Sequence, residues 1–207
     1  MSETAAVSRV LVVDDSLVIR LLLCRVLEAR GYRVESAESG EAALQRLAGR
    51  PPDLLFLDVA LPGISGLDVL RAVRARGLDT AVILITASGS EAVAVEALRG
   101  GADDYLRKPF SNEEFAAVLE RTVRRLELSR RNAALQRELD EKRRQLEQEL
   151  ARAAEVQAGL LPRAAPTLPG WELAVRFYPA REVSGDFYDW QEVGHGSLAL
   201  TVGDVMG

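Results

Sequence analysis

Short apolar runs alternate with amphipathic segments over the first half of the chain. Val10–Val13, Leu54–Leu57 and Ala81–Ile85 each contain only apolar residues. These runs are too short for buried helices, and they predict buried strands. Weaker strand patterns cover Arg33–Ala37 and Asp104–Arg107. The pattern therefore predicts several short strands, some of them buried on both faces.

Helical patterns occupy the intervals between these strands, at Leu17–Ala29, Glu41–Leu47, Leu67–Arg74 and Glu91–Leu98. Serine is a preferred residue at helix N-caps, and it precedes predicted helices at Ser16, Ser65, Ser90 and Ser111. Alternating strands and helices predict an α/β fold, with a five-stranded, doubly wound parallel sheet and helices on both faces.

The middle of the chain, from about Ser111 to Leu160, lacks proline and is rich in Glu, Arg, Leu, Ala and Gln, which predicts one long helix. Apolar residues separated by three, four or seven positions run along it, at Leu128, Leu135, Leu139, Leu146, Leu150, Ala153 and Val156. This spacing favours a parallel two-stranded coiled coil and therefore a homodimer. A single solvated helix is the alternative.

A proline-rich break follows at Leu161–Gly170. Beyond it, Trp171–Tyr178 and Ser197–Val202 predict strands, with a turn at Gly194–Ser197. These few strands are not enough to close a domain. We therefore expect the chain to be a piece of a longer protein.

Composition narrows the functional classes. The net charge is -5, with no large block of one sign, which argues against a dedicated nucleic-acid or membrane surface. The single cysteine, Cys24, excludes an intramolecular disulfide and is expected in the core. With one histidine, His195, which is expected in a hairpin turn, a zinc site is not expected either. No signal peptide or long apolar span is present in the sequence, so we expect a cytoplasmic protein.

Chemically active residues follow the predicted strands. Asp14 and Asp15 end the first strand, Asp58 the third, Thr86 the fourth, and Lys108 the fifth. The carboxyl ends of parallel strands share one edge of a sheet, where ligands bind. Clustered carboxylates need a divalent cation, and Mg²⁺ prefers oxygen ligands. A carboxylate beside Mg²⁺ can accept a phosphoryl group, with the lysine and threonine as donors to its oxygens.

The segments RVLVVDDS, LLFLDVALPGISGLDVL, VILITA and DDYLRKPF resemble the receiver domain of bacterial two-component response regulators over about residues 8–122. The resemblance implies a flavodoxin-like fold in which Asp58 is the phosphoacceptor. It also implies that Asp15, Asp58 and the Ala60 backbone carbonyl bind Mg²⁺ directly. Asp14 would contact the metal through water.

The same resemblance implies roles for the residues after the last two strands. Lys108 would pair with the phosphate or with Asp58, and the Lys108–Pro109 peptide bond would be cis. Thr86 and Tyr105 would be the switch residues that respond to phosphorylation. The partner would be a histidine kinase or a phosphotransfer protein.

The C-terminal segments AAEVQAGLLP, VSGDFYDW and LTVGDVMG resemble the opening of PP2C-like serine phosphatases of the SpoIIE type. The resemblance implies a partial PP2C-like α/β domain in which Asp186 and Asp204 bind Mg²⁺ or Mn²⁺. The family's remaining metal-binding aspartates would lie beyond Gly207. We therefore expect the full-length protein to be a phosphatase and this chain alone to be inactive as one.

Together these patterns predict a receiver domain at residues 1–122, a coiled-coil linker at 123–160 and a phosphatase fragment at 161–207. Phosphorylation of Asp58 would control the phosphatase, whose substrate, by family analogy, would be an anti-sigma antagonist phosphoprotein. The alternative is a scaffold or pseudophosphatase that binds a regulatory partner without catalysis. A DNA-binding output is disfavoured, because no helix-turn-helix or basic face follows the receiver pattern.

Overall fold

The computed structural model describes residues 7–87, 96, 98–162, 164–167, 170–178, 183–194 and 197–205. The chain divides into two compact units, residues 1–134 and residues 135–207. None of the helices in the described ranges combines the length and apolarity that crossing a membrane requires.

The first unit is built on a parallel sheet of five strands in the order β2-β1-β3-β4-β5. The strands are β1 Arg9–Val13, β2 Arg33–Ala37, β3 Leu54–Asp58, β4 Ala81–Thr86 and β5 Asp104–Arg107. Every residue of β3 and β4 is buried, as continuous apolar runs predict for strands covered on both faces. The predicted five-stranded parallel α/β fold is confirmed.

Helices cover both faces of this sheet. They are α1 Leu17–Glu28, α2 Gly40–Ala48, α3 Gly66–Ala75 and the long α4 Asn112–Leu160. The bounds of the first three agree with the predicted ones to within a residue or so, the accuracy that helix ends allow. The predicted helix Glu91–Leu98 lies outside the described residues, except for Glu96 and Leu98, which are helical.

Side-chain caps fix the starts of three helices. Ser39 and Ser65 accept the backbone N–H of the residue three positions later, at 3.2 and 3.3 Å. Ser111 and Glu114 form a reciprocal capping box. Ser16 is the N-cap residue of α1, as predicted, but its side chain makes no capping bond. The turn into α1 is held instead by the Ser16 N–H, which donates to Asp14 Oδ1 at 2.9 Å.

Two apolar clusters form the core, one on each face of the sheet. On one face, α1 and α4 pack against the sheet, and Phe115 of α4 stacks on Phe56 of β3 with ring centroids 5.3 Å apart. Cys24 packs against this cluster and is half-buried. On the other face, α2 and α3 contribute Leu47 and Leu70. The amphipathic stripes of these helices thus place them on opposite sides of the sheet.

The second unit contains an antiparallel hairpin of β6 Asp186–Gly194 and β7 Ser197–Asp204. The predicted strand at Trp171–Tyr178 is wrong: only an isolated bridge forms at Trp171, whose side chain is 81% exposed. The partner of β7 is β6, which the sequence pattern missed. Cross-strand pairing decides strand formation here, since apolar character alone does not. His195, predicted in the turn, lies outside the described residues.

Helix α4 is continuous over its 49 residues, so the predicted long helix is present. One face of its N-terminal part, which includes Phe115, Val118 and Leu119, is buried in the first unit. Farther along, Leu135, Leu139 and Leu146 are each more than half exposed. Their pairing with a second helix stays a prediction.

Candidate functional site

Three acidic side chains meet at the carboxyl edge of the sheet. Asp14, Asp15 and Asp58 each offer a carboxylate oxygen within 4.8 Å of the others. Strands β1 and β3 are neighbours in register, with Val13 opposite Leu57, so their ends lie side by side. Asp14 is fully buried and Asp58 is 5% exposed, whereas Asp15 is exposed.

Lys108 is the cation of this cluster. Its Nζ donates to Asp14 Oδ2 at 2.6 Å and to Asp58 Oδ2 at 2.7 Å. The lysine follows β5, and the Lys108–Pro109 peptide bond is cis. Burial by itself lowers the pKa of Lys108, but hydrogen bonds to the two aspartates outweigh it, so the pKa is raised. The amine therefore stays protonated and bridges the two strands.

The cluster is short of positive charge. Burial raises the pKa of Asp14 even though Lys108 and the Ser16 N–H donate to it. Of the three clustered carboxylates, two thus share one ammonium group. Buried carboxylates that lack a full set of counter-charges are costly unless a cation joins them. The all-oxygen donor set fits a hard divalent cation such as Mg²⁺.

Backbone contacts hold Asp58 in place. The Ala60 N–H donates to Asp58 Oδ1 at 3.0 Å, and the Val59 N–H donates to the Ile85 carbonyl of β4 at 2.9 Å. Gly66, the first residue of α3, lies directly against the Asp58 carbonyl, and a Cβ at this position would overlap that oxygen. Only glycine allows α3 to begin this close to the end of β3.

The two predicted switch residues lie on neighbouring strands. Thr86 ends β4, is 6% exposed, and donates from Oγ1 to the Ala87 carbonyl at 3.2 Å. Tyr105 of β5 pairs with Leu84 and is 42% exposed. The Lys108 N–H donates to the Thr86 carbonyl at 2.8 Å. A backbone bond thus connects the end of β4 to the lysine loop.

Arg20 is a contributor that the sequence reasoning missed. Its Nη1 donates to the backbone carbonyls of Asp14 and Asp15, at 2.7 and 2.9 Å. These bonds connect α1 to the turn that carries both acidic residues. The only signal in the sequence was an arginine one turn into the helix that follows the acidic pair.

The second predicted acidic pair is less complete. Asp186 and Asp204 are directly opposite each other on β6 and β7, and both are exposed. The Ser184 hydroxyl donates to Asp186 Oδ2 at 2.8 Å. Among the described residues, a group of three potential metal ligands forms at the carboxyl edge of the sheet and not at this pair.

Comparison with known proteins points to one family. The model of the response regulator receiver domain matches residues 10–120, more than half of the chain. Response regulator MprA of Mycobacterium ulcerans (strain Agy99) is 44% identical over 126 residues, which cover 61% of this chain and 54% of that protein. Its counterpart from Mycobacterium avium (strain 104) is 44% identical over 117 residues, covering 56% and 51%. The chain therefore spans about half the length of these relatives.

Solved structures agree with this match. The receiver domain of a putative Luxo repressor protein from Vibrio parahaemolyticus has a TM-score of 0.56 and 33% identity, covering 59% of this chain and 94% of that one. Chemotaxis protein CheY4 of Vibrio cholerae has a TM-score of 0.53 and 33% identity, covering 56% and 99%. The similarity thus lies in the first unit.

Proposed function

Because this chain belongs to the response regulator receiver domain family, we propose that Asp58 accepts a phosphoryl group from a histidine kinase or a phosphotransfer protein. The observation that carries the proposal is the Lys108 ammonium group, held between Asp14 and Asp58 at 2.6 and 2.7 Å. It places a fixed positive charge beside a nearly buried nucleophile. The remaining negative charge of the cluster calls for a metal ion.

The transfer is a substitution at phosphorus. A carboxylate oxygen of Asp58 forms a bond to phosphorus, and the bond to the donor's histidine nitrogen breaks with its electron pair left on nitrogen. The product is an acyl phosphate and a free imidazole. Lys108 already donates to Asp58 Oδ2, so it can follow the charge onto the phosphoryl oxygens.

Receiver domains bind Mg²⁺ at an acidic pocket, and the cluster of Asp14, Asp15 and Asp58 fits one. In the proposed site Asp15, Asp58 and the Ala60 carbonyl would hold the ion directly, and Asp14 would hold it through water. When bound, Mg²⁺ neutralises the repulsion between the carboxylates and the incoming phosphoryl oxygens.

An apolar face of α1 supports the proposal that the phosphoryl donor is a protein. Leu17, Val18, Leu21 and Leu22 are between 48% and 74% exposed, and the first of them lies two residues after Asp15. Exposed apolar patches of this kind mark surfaces that bind a partner. A donor that presents its phosphoryl group to Asp58 would cover this face.

The test is phosphorylation by acetyl phosphate with Mg²⁺, read by intact mass. Wild type is expected to gain one phosphoryl group and Asp58→Asn none. Asp53→Asn, the same substitution at the other end of β3, is the matched control and should be labelled like wild type. Equal labelling of wild type and Asp58→Asn would remove Asp58 from this role.

The proposed output lies downstream of α4. In this proposal residues 1–122 are the receiver, 123–160 a coiled-coil linker and 161–207 the start of a PP2C-like phosphatase, acting on a phosphoserine protein such as an anti-sigma antagonist. Thr86 and Tyr105 would respond to phosphorylation, and paired α4 helices would transmit the change. Exposure of the leucine stripe supports helix pairing. Beryllofluoride should change the oligomeric state or the helix cross-links, and no change in either would contradict the coupling.

The acidic pair Asp186–Asp204 supports the phosphatase part of the proposal, because opposed carboxylates can bridge metal ions. Mn²⁺ titration followed by electron paramagnetic resonance would test it. In an Asp58→Asn background, which weakens the receiver site, Asp204→Asn should remove the remaining bound Mn²⁺. Unchanged Mn²⁺ binding after this second substitution would exclude Asp204 as a ligand.

A further inference from the structure

We propose that Glu41, on α2, is a positioning residue for the loop that carries Asp58. The inference rests on the proposed phosphorylation of Asp58. The loop, residues 59–65, connects β3 to α3 and includes Ala60, whose N–H binds the Asp58 carboxylate. Glu41 lies 23 residues away along the chain from its contact in this loop.

Both ends of the loop are fixed by its own elements. The Gly66 N–H donates to the Val59 carbonyl at 3.1 Å, and Ser65 caps α3 through the Asp68 N–H at 3.3 Å. Gly63 and Ile64, in the second half of the loop, take no part in these two hydrogen bonds. A hydrogen bond from the Ile64 N–H to Glu41 holds this part of the loop.

The contact of Glu41 is a hydrogen bond from a backbone group. The Ile64 N–H donates to Glu41 Oε1 at 3.1 Å. Hydrogen bonds from the Glu41 N–H, the Ile64 N–H and the Ser39 hydroxyl lower the pKa of Glu41. The side chain therefore accepts as a carboxylate, and charge-assisted bonds of this kind are the stronger ones.

The backbone of the loop is shaped around this carboxylate. Gly63 has φ of +76°, and a Cβ there would lie 2.6 Å from Glu41 Oε1. A Cβ at Gly40 would overlap the Ile64 carbonyl oxygen. Two glycines thus let α2 and the loop approach closely, one of them in a conformation that L side chains rarely adopt.

The position of the loop affects the groups that would take part in phosphoryl transfer. Ile64 is close along the chain to Ala60, whose N–H orients Asp58 and whose carbonyl belongs to the proposed metal site. Without the Glu41 contact the loop samples more conformations, and the fraction with correctly placed oxygen atoms falls. Glu41 touches none of the reacting atoms. It acts through the loop.

The experiment uses the full chain with acetyl phosphate and Mg²⁺. Glu41→Ala is expected to slow labelling of Asp58 and weaken Mg²⁺ binding, measured by calorimetry, by about two- to tenfold, the range for one lost hydrogen bond. Glu41→Gln keeps an acceptor oxygen and should restore most of both. Gln45→Ala, an exposed position on the same helix, is the matched control and should behave as wild type.

Three outcomes are decisive. If wild type is labelled and Glu41→Ala matches it in rate and Mg²⁺ affinity, the positioning role is wrong. If Glu41→Gln is as impaired as Glu41→Ala, the hydrogen bond to Ile64 is not the cause, and the role is again wrong. If wild type itself takes up no phosphoryl group, the proposed function fails instead.

A double-mutant cycle separates positioning from general destabilisation. Gly63→Ala strains the backbone in any background, but its clash with the carboxylate disappears when Glu41 is alanine. The effect of Gly63→Ala on the labelling rate should therefore be smaller in the Glu41→Ala background. Strictly additive effects would show that the loop is not built around Glu41.

Discussion

The aspartates at the two edges of the parallel sheet differ in how fully they are paired with cationic side chains. At the carboxyl edge, three carboxylates lie together, and two of them, Asp14 and Asp58, share the ammonium group of Lys108. At the amino edge, before β3, β4 and β5, each acidic residue pairs with arginine. The pairs are Arg74–Asp103, Arg121–Asp104, Arg125–Asp103, Arg130–Asp53 and Arg130–Asp79. The amino edge is balanced, and the carboxyl edge is not.

Arg130 shows how complete the balance is. Its Nε donates to Asp79 Oδ2 at 2.7 Å, its Nη1 to Asp53 Oδ1 at 2.9 Å, and its Nη2 to the Asp79 carbonyl at 3.1 Å. Asp53 also accepts the N–H groups of Ser8 and Arg9, each at 2.9 Å. These bonds hold α4 against the strands where it leaves the first unit.

This difference in charge pairing separates a structural edge of the sheet from the proposed functional edge. Acids with all their partners supplied by the chain stabilise the fold and leave no room for a ligand. Clustered acids without a full set of counter-charges lower stability and retain the capacity to bind a cation and a phosphoryl group, a common property of functional sites. Charge balance therefore separates the structural aspartates from the proposed functional ones more clearly than burial does.

The largest effect is expected from removing Lys108, the cation that pairs with Asp14 and Asp58 at the unbalanced edge. Lys108→Ala should slow phosphorylation of Asp58 by about 100-fold, the loss typical of one preorganised donor to a charged transition state. Labelling by acetyl phosphate measures it. Lys142→Ala, on the exposed part of α4, is the control and should have no effect. A rate near that of wild type for Lys108→Ala would show that the lysine is only structural.

The free energy of unfolding should respond differently to the same substitution at the two edges. Asp53→Asn leaves Arg130 without one of its carboxylates and should lower the free energy of unfolding by about 1–3 kcal/mol. Asp58→Asn relieves repulsion within the acidic cluster and should leave the stability unchanged or raise it. Urea unfolding of both variants without Mg²⁺ is the measurement. A loss of stability in both would remove the distinction between the edges.

The carboxyl edge could be predicted from the sequence. The apolar runs of β1 and β3 end at Asp14 and Asp58, and parallel strands place such ends together. Lys108 could be assigned to the same site because it directly follows the last strand of the sheet. Short-range patterns and one topological rule were sufficient.

The amino edge could not be predicted. Arg130 and Asp53 are 77 residues apart, and α4 carries many other arginines that the sequence pattern favours equally as partners of Asp53. Which of them meets an aspartate depends on the rotation of α4 against the sheet, which the core packing of Phe115 and its neighbours determines. The missed strand β6 has the same origin, since its formation depends on pairing with β7.

The pH dependence of the free energy of unfolding tests the contribution of the Asp53 charge at the amino edge. Burial by itself raises the pKa of Asp53, but hydrogen bonds from Ser8, Arg9 and Arg130 outweigh it, and the pKa lies below its ordinary value of 3.8. A lowered pKa means that the charged form stabilises the fold. This contribution is complete above pH 3.8 and is lost as the pH falls through the folded-state value.

The stability difference between wild type and Asp53→Asn should therefore be constant at neutral pH and shrink below pH 3.8. Urea midpoints measured from neutral to acid pH would show it. A difference that persists undiminished in acid would mean that the shape of the side chain matters and its charge does not.

The smallest effect should come from Arg121, the most exposed of the paired arginines at the amino edge. The Arg121 side chain is 64% exposed and that of Arg130 only 20%. Solvent screens the largely exposed Arg121 side chain, although its partner Asp104 is only 11% exposed, so Arg121→Ala should cost at most about 1 kcal/mol. Arg130→Ala, which also leaves Asp53 partly unpaired, should cost about 1–2 kcal/mol. High salt should remove most of the Arg121 effect and little of the Arg130 effect. Equal losses for the two variants would mean that the network acts as one exposed charge cluster and does not anchor α4 at Arg130.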